Sequence, residues 1–299
     1  MQQHPPGALY VVATPIGNLA DLGLRAIHVL SRVQAVACED TRVTGLLMRH
    51  LGLLAPLLAV HEHNERQAAQ GLLARLARGE SVAYVSDAGT PAVSDPGAAL
   101  VAEVAAAGHR VIPVPGPSSV AAALSVAGDA ASTAWRFAGF LPARGAARQA
   151  ALQRATADAE TQVLLESPHR IEALADELAS AAPQRRVTLA RELTKQFETV
   201  ATMAAGDLPG WLAADEHRRR GEFVLVLHAQ PASAAGDDEL PAAALHALRC
   251  LLDELPLKQA VRLAAAVSGS PRNALYARAL ALRDDGGGEA DTSAGTRLE

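Results

Sequence analysis

Through its first half the chain alternates two periodicities, and that alternation restricts it to one class of fold. Short apolar, β-branched runs at residues 8–13, 35–38, 57–60, 81–85 and 110–114 read as strands. Between them lie stretches with helical spacing at residues 21–30, 44–50, 64–78, 97–108 and 118–127. Asp21 and Asn64 are expected as N-caps. Leu24, Ile27 and Leu30 are expected to form one buried stripe, and Leu72, Leu73 and Leu76 another. Strands that each return through a helix predict a mainly parallel sheet covered on both faces.

The pattern changes after residues 128–134. Strands are expected at 135–140, 162–166, 186–190, 199–203 and 223–228, and helices at 145–157, 169–179 and 208–214. Several connections are too short for a crossover helix, so this second unit is expected to carry a mixed sheet. Residues 230–238 have linker composition. A small helical module is expected at 240–283, with one helix over 257–267, a turn at 268–270 and a second helix over 271–283 opened by Pro271. The Gly-rich acidic stretch 284–299 reads as a disordered tail. The expected organisation is therefore an α/β unit at 8–128, a second at 134–230, the module at 240–283 and the tail.

Composition narrows the function. Apolar residues make up 49% of the 299, enough for a sizeable core, while aromatics are only 3%, which favours helices packed on sheets over an aromatic-rich β fold. Cys38 and Cys250 stand far apart with no CxxC neighbour, which argues against a disulfide framework or structural zinc and fits a reducing cytosol. The first residues lack a signal-peptide pattern, and no apolar run is long enough to span a membrane. The net charge of −5 is uneven: five acids crowd the tail, whereas Lys258, Arg262, Arg272, Arg278 and Arg283 follow one another with no acid between Leu257 and Arg283. Such a patch suits a polyanion, or is simply a solvated face.

Four loops each follow a predicted strand and are dense in small or turn-forming residues: Thr14-Pro15-Ile16-Gly17-Asn18, Glu39-Asp40-Thr41-Arg42, Ser86-Asp87-Ala88-Gly89-Thr90-Pro91 and Pro115-Gly116-Pro117-Ser118-Ser119. In an open parallel sheet such loops gather at the carboxyl ends of the strands, where ligands bind. Any one of them is an ordinary turn; four in register are a candidate site. None matches GxGxxG or GxxxxGK[ST], so a dinucleotide fingerprint and a P-loop are absent.

The strings TPIGNLADL, AVACEDTR, HEHNE, YVSDAGTPAVSDPG, PVPGPSS, GFLPA, ESPHR, LARELTK and RRRGEFVLV, in this order, resemble the ribosomal RNA small subunit methyltransferase I family of the tetrapyrrole methylase superfamily over roughly residues 8–283. EDTR and SDAGTP are the most specific of them. The resemblance implies two α/β domains enclosing S-adenosylmethionine, homodimers, a cytoplasmic location, and methyl transfer to the ribose 2′-hydroxyl of a cytidine in the decoding centre of 16S rRNA. Rival readings are a precorrin-type tetrapyrrole methylase, a DNA-binding regulator built on the helical end, and a non-catalytic S-adenosylmethionine or nucleic-acid binder.

Methyl transfer requires the nucleophile held in line with the departing sulfur. The backbones of the third and fourth loops, with Pro15, Asp87, Ala88, Gly89, Thr90, Pro91, Pro115, Gly116, Ser118 and Ser119, are the candidate donor-binding residues. Asp87 suits the ribose hydroxyls or amino group of the donor, or else caps its own turn. A ribose hydroxyl is a weak acid, so a base or orienting charge is expected: Lys195, Glu39 and Glu166 lead, with Asp40, His61, His63 and His169 behind. Lys195 is one of two lysines in an arginine-rich chain, which suggests that an ammonium is wanted there. Candidate RNA contacts are Arg42, His61, His63, Arg170, Lys258, Arg272, Tyr276 and Arg283. Arg42, Arg170 and Arg191 suit phosphates, or pairing with Glu39, Glu166 and Glu192. His61 and His63 lack a third ligand nearby, so no metal is expected.

Overall fold

The computed structural model describes residues 4–60, 65–94, 96–131, 133–230, 240 and 242–286, without the side chains of 65–67, 242–243 and 283–286. It separates into two compact units, residues 1–230 and 231–299.

In the first unit, β1 (Ala8–Val12), β2 (Ala35–Cys38), β3 (Leu57–Ala59), β4 (Val82–Val85) and β5 (Arg110–Val114) form an all-parallel sheet in the order β3-β2-β4-β1-β5. Helices α1 (Leu24–Leu30), α2 (Thr41–His50), α3 (Glu65–Ala77), α4 (Ala98–Ala106) and α5 (Ser119–Ala127) alternate with these strands. Two apolar clusters show that both faces are covered: Tyr10, Val36 and Ala83 pack with α1 and α2, while Leu9, Ala37 and Tyr84 pack with α3 and α4. β2 and β4 are buried along their whole length, as a sheet covered on both faces requires.

The second sheet is mixed, as the short connections predicted, with order β6-β7-β10-β8-β9. Its strands are β6 (Trp135–Phe140), β7 (Thr161–Glu166), β8 (Arg186–Arg191), β9 (Thr199–Ala204) and β10 (Phe223–Leu227). Only β6 and β7 run parallel; β10 inserts antiparallel between β7 and β8, and β8 and β9 form a hairpin. Helices α6 (Gly145–Ala157), α7 (Ile171–Ala181) and α8 (Leu208–Ala213) cover it. Ile171, Leu174 and Leu178 of α7 are all buried, and each such side chain stabilises the fold by about 1.5–3 kcal/mol.

Several local expectations are corrected. Asp21 lies in a 3-10 turn rather than capping α1; Leu22 is extended and Gly23 is the N-cap. The resulting rotation leaves Leu24 84% exposed and buries Ala26 and Val29 beside Leu30, which is buried as expected. Helix α2 starts three residues before the expected position because the Asp40 side chain accepts the Arg42 N–H and caps it. Helix α7 starts at Ile171, with Arg170 as its N-cap residue, rather than at His169. Asn64, expected to cap α3, lies outside the described residues.

The second unit packs α9 (Ala242–Glu254), α10 (Leu257–Ser268) and α11 (Arg272–Gly286) around Leu240, Ala244, Leu248, Val261, Ala264, Leu275 and Ala279. Gly269, in the left-handed conformation, ends α10. Pro271 lies just outside α11, its carbonyl accepting from Leu275 N. The last helix continues through Gly286, past Asp284 where a disordered tail was expected to begin; residues 287–299 lie outside the described part.

Candidate active site

The four loops lie at one edge of the parallel sheet because β1, β2, β4 and β5 all end there. Hydrogen bonds stitch them together. Thr14 and Gly89 exchange backbone bonds of 2.9 and 3.1 Å, and the Thr14 hydroxyl donates to the Ser86 carbonyl at 3.1 Å. The Thr90 hydroxyl donates to the Pro117 carbonyl at 3.0 Å. The Asp40 N–H donates to Asp87 Oδ1 at 3.0 Å, so one oxygen of Asp87 clamps the second loop to the third rather than capping its own turn. Ser118 caps α5 by accepting from Ala121 N.

Two glycines in these loops are required by close approach. A Cβ on Gly116 would lie 3.1 Å from Ala13 Cβ. Gly89 has φ +80°, and a Cβ there would come within 3.3 Å of Ile16 Cγ2. The loops therefore expose backbone and small side chains: Ala88, Pro115 and Gly116 are exposed, whereas Gly89 and Pro91 are buried. Beside them opens a groove of about 490 Å³ lined by Pro15, Leu19, Val43, Leu46, Leu47 and Asp87, among others.

A fifth segment, between β8 and β9, reaches this edge from the second sheet. Lys195 packs directly on Gly17, where an added Cβ would lie 2.4 Å from Lys195 Cγ and 3.0 Å from the Thr194 hydroxyl oxygen. Lys195 Nζ donates to Glu192 Oε1 at 2.9 Å and Glu222 Oε2 at 3.1 Å. Burial pushes the ammonium pKa down, but these two carboxylates outweigh that and hold it above the ordinary lysine value. Burial likewise pushes the Glu192 carboxyl up, yet the Lys195 and Glu222 N–H bonds and the Lys195 and Arg191 charges leave it below its ordinary value. Glu192 and Thr194 adopt φ +51° and +66°, strained for residues with a Cβ. Gly221 gives Glu192 room, since a Cβ there would lie 2.5 Å from Glu192 Cγ. The ammonium is thus fixed and charged; it can orient an oxygen or stabilise negative charge but is no base.

Other candidates have different roles. Glu166 is corrected from a catalytic base to a buried anchor: its side chain is 0% exposed, lies 3.7 Å from Arg148 and 3.3 Å from Arg170, and accepts from Ser167 N at 2.9 Å. Arg170 also donates to the Leu141 carbonyl at 2.6 Å, so it ties the loop after β6 to that anchor rather than extending toward a phosphate. Arg42 pairs with Asp40 at 2.6 Å and is 89% exposed. This pairing holds the Asp40 carboxyl at a pKa of about 2. Arg191 donates to the Phe197 carbonyl at 3.1 Å. Glu39 is half-buried at the end of β2, and His169 is exposed. On the helical module Lys258, Arg262, Arg272, Tyr276 and Arg278 are exposed, opposite the buried Leu275 and Ala279. His61, His63 and the Arg283 side chain lie outside the described residues. Among the described residues no group of three His, Cys, Asp or Glu side chains is arranged for a metal, and no helix is long and apolar enough to cross a membrane.

Sequence reasoning missed Glu192 as the partner of Lys195. It also missed Arg185, a buried guanidinium that donates to the carbonyls of Ala155, Thr156, Asp158, Glu160 and His228. Glu192 stands three residues before Lys195, but Arg185 finds its partners far along the chain and leaves no local signal.

Comparison with known proteins agrees with this geometry. Residues 8–209 match the family model for Tetrapyrrole (Corrin/Porphyrin) Methylases, and residues 238–283 match that for the RsmI C-terminal HTH domain. A protein of Escherichia coli named ribosomal RNA small subunit methyltransferase I is 47% identical over 94% of this chain and 99% of its own length. One of the same name from Pseudomonas aeruginosa is 48% identical over 92% of this chain and 97% of its own. Among solved structures, a cobalt precorrin-4 methyltransferase aligns with a TM-score of 0.55 at 19% identity, covering 74% of this chain and 94% of its own. The uroporphyrin-III C-methyltransferase of Thermus thermophilus aligns at 0.52 and 23%, with the same coverage. These structures share the fold. By the two matched models and by its identity with these relatives, the chain belongs to the tetrapyrrole (corrin/porphyrin) methylase family, in the branch that carries the RsmI C-terminal HTH domain.

Proposed function

We propose that this protein transfers a methyl group from S-adenosylmethionine to the ribose 2′-hydroxyl of a cytidine in the 16S rRNA of the small ribosomal subunit. The observation that carries this reading is the meeting of two sheets at one edge: four stitched loops from the first, and a fixed ammonium from the second seated on Gly17. The relatives named for small-subunit rRNA methylation match nearly the whole chain.

The loop edge has the chemistry the donor needs. The exposed backbone of Ala88, Pro115 and Gly116 is open to a ligand, Asp87 offers a carboxylate, and the N-terminus of α5 at Ser118 and Ser119 suits a carboxylate. The buried Thr194 hydroxyl has no hydrogen-bond partner among the described residues. Loops 86–91 and 115–119, with Pro15, are the proposed donor site. When bound, S-adenosylmethionine supplies an electrophilic methyl carbon.

Lys195, held cationic, stabilises the negative charge that develops on the 2′-oxygen, and Glu39 takes up the hydroxyl proton. Glu192 and Glu222 keep the ammonium in place. Arg42 at the loop edge and the exposed Lys258, Arg272 and Tyr276 of the module bind RNA by charge and stacking. The test is labelled methyl transfer to purified small subunits, with nucleoside mass spectrometry of rRNA from cells with and without the gene. Loss of one 2′-O-methylcytidine in the deletion strain is expected; an unchanged nucleoside profile refutes the proposal.

A further inference from the structure

A second cavity, of about 660 Å³, lies beyond the Lys195 site, lined by Arg191, Glu192, Phe197, Glu198, Asp215 and Arg220, among others. Its volume is within the range of small-ligand sites. Glu192 belongs to both sites: its carboxylate holds Lys195, and it forms part of this cavity's wall. A polymer with one unit at Lys195 would therefore have a neighbouring unit here.

We propose that this cavity receives an unpaired nucleotide of the RNA adjacent to the methylated one, with its base stacked on Phe197 and carrying an exocyclic amino group. The inference rests on the proposed RNA methylation. Phe197 is 67% exposed, an unfavourable state for a phenyl ring unless something stacks on it. The backbone beneath it is fixed: its carbonyl accepts from Arg191 Nη1 at 3.1 Å and from the Thr199 hydroxyl at 3.3 Å. The loop that presents it is closed by Lys195 N to Glu192 O, Glu198 N to Lys195 O, and Thr194 N to Glu198 Oε2 at 2.6 Å. An aromatic ring held by rigid backbone is the element that single-strand binders use as a stacking platform.

Charge selects the base over the phosphate. Around the cavity Arg191 and Arg220 are matched by Glu198 and Asp215, and Glu192 is held by Lys195, which leaves no excess of positive charge for an anion. Glu198 and Asp215 each accept one backbone N–H with one oxygen and keep a second oxygen without a hydrogen bond among the described residues. Those oxygens are acceptors suited to an amino group such as N4 of cytosine. Arg191 is only 7% exposed, and its Nε has no hydrogen-bond partner among the described residues, an unspent buried donor in the residue that forms part of the cavity wall.

The test is fluorescence anisotropy of the full-length protein with labelled single-stranded cytidine and uridine decamers at fixed salt. Wild type is expected to bind the cytidine decamer more tightly than the uridine decamer. Phe197→Ala should weaken cytidine binding by about 5- to 150-fold, the range for loss of one stacked base. Phe197→Trp should restore it, and Glu198→Gln with Asp215→Asn should erase the preference for cytidine. The calorimetric affinity of Phe197→Ala for S-adenosylmethionine should equal that of wild type, since the ring is not in the donor loops. A wild type that leaves both decamers unbound or binds them equally, or an alanine variant that binds like wild type, overturns the cavity assignment. Methylation of small subunits by the same wild-type sample is a separate readout and decides the underlying function.

Discussion

Replacing Gly17 with alanine tests the seat of Lys195. The new methyl group would lie 2.4 Å from Lys195 Cγ, 3.1 Å from Cε and 3.0 Å from the Thr194 hydroxyl oxygen. Carbon atoms pack best at about 3.5–4.0 Å, so the overlap with Cγ is about 1 Å or more. Gly17 is not among the residues with positive φ, so alanine fits its backbone and the cost is steric. Overpacking of this kind costs ~1–3 kcal/mol, either as strain or as withdrawal of Lys195 from Glu192 and Glu222. In a Lys195→Ala background most of the overlap disappears. The two substitutions should therefore be non-additive, with a coupling of about 1 kcal/mol or more in urea unfolding of the four proteins. Gly17→Ala alone should also slow methyl transfer while leaving calorimetric donor affinity within a few-fold of wild type. Additivity within about 0.5 kcal/mol would refute the packing on which the placement of Lys195 depends.

Lys195→Met should lower kcat by about a hundredfold or more, as loss of one transition-state donor does, with little change in donor affinity; a matching loss of affinity would assign Lys195 to binding instead. Glu166→Ala should lower Tm by about 5 °C, because Arg148 keeps its pair with Glu177 and Arg170 its bond to the Leu141 carbonyl, so the loss is that of the buried Glu166 contacts alone, about 1–3 kcal/mol. A stable but inactive Glu166→Ala protein would return Glu166 to the chemistry. The Asp40 carboxyl should titrate at about 2 by carbon NMR, its pairing present above the ordinary value of 3.8 and lost as pH falls through about 2. In Arg42→Ala that midpoint should move up, and an unmoved one would mean that Arg42 is not its cause. Lys258→Ala with Arg272→Ala should reduce the salt slope of rRNA binding by about one for each phosphate that is no longer neutralised, leaving donor affinity intact; an unchanged slope would mean that the module does not bind RNA through these cations.

How far the sequence could be read follows from how local each determinant is. Strand β2 was legible to the residue because a buried strand advertises itself as an unbroken apolar run, and the edge strands β5 and β6, each with an arginine and mostly unburied, because turn-forming residues bound them. The four loops were legible because parallel strands all deliver their C-terminal turns to one edge. The insertion of β10 between β7 and β8 was not, since it pairs residues far apart in sequence. The stripe through Leu24 failed because the cap moved from Asp21 to Gly23 and turned the short helix α1. At the site, the rarity of lysine pointed to Lys195, but its charge state is set in part by Glu222, 27 residues away. Glu166 stands at a strand end, where catalytic acids are often found; only its two guanidinium neighbours reveal a buried anchor.

Asp129 sits on the connector that leads from α5 to β6. Its Oδ2 accepts from the Thr161 hydroxyl at 2.6 Å and the Ala229 N–H at 2.7 Å, and its Oδ1 accepts from the Ala131 N–H at 3.1 Å. The Ala127 carbonyl nearby accepts from the Thr188 hydroxyl at 3.3 Å. A stretch composed like a hinge is therefore clasped to the sheet it enters. Peeling the connector from the second sheet would break that clasp. The connector therefore travels with the second sheet as one body, and any relative movement of the two sheets has to be taken up ahead of Asp129.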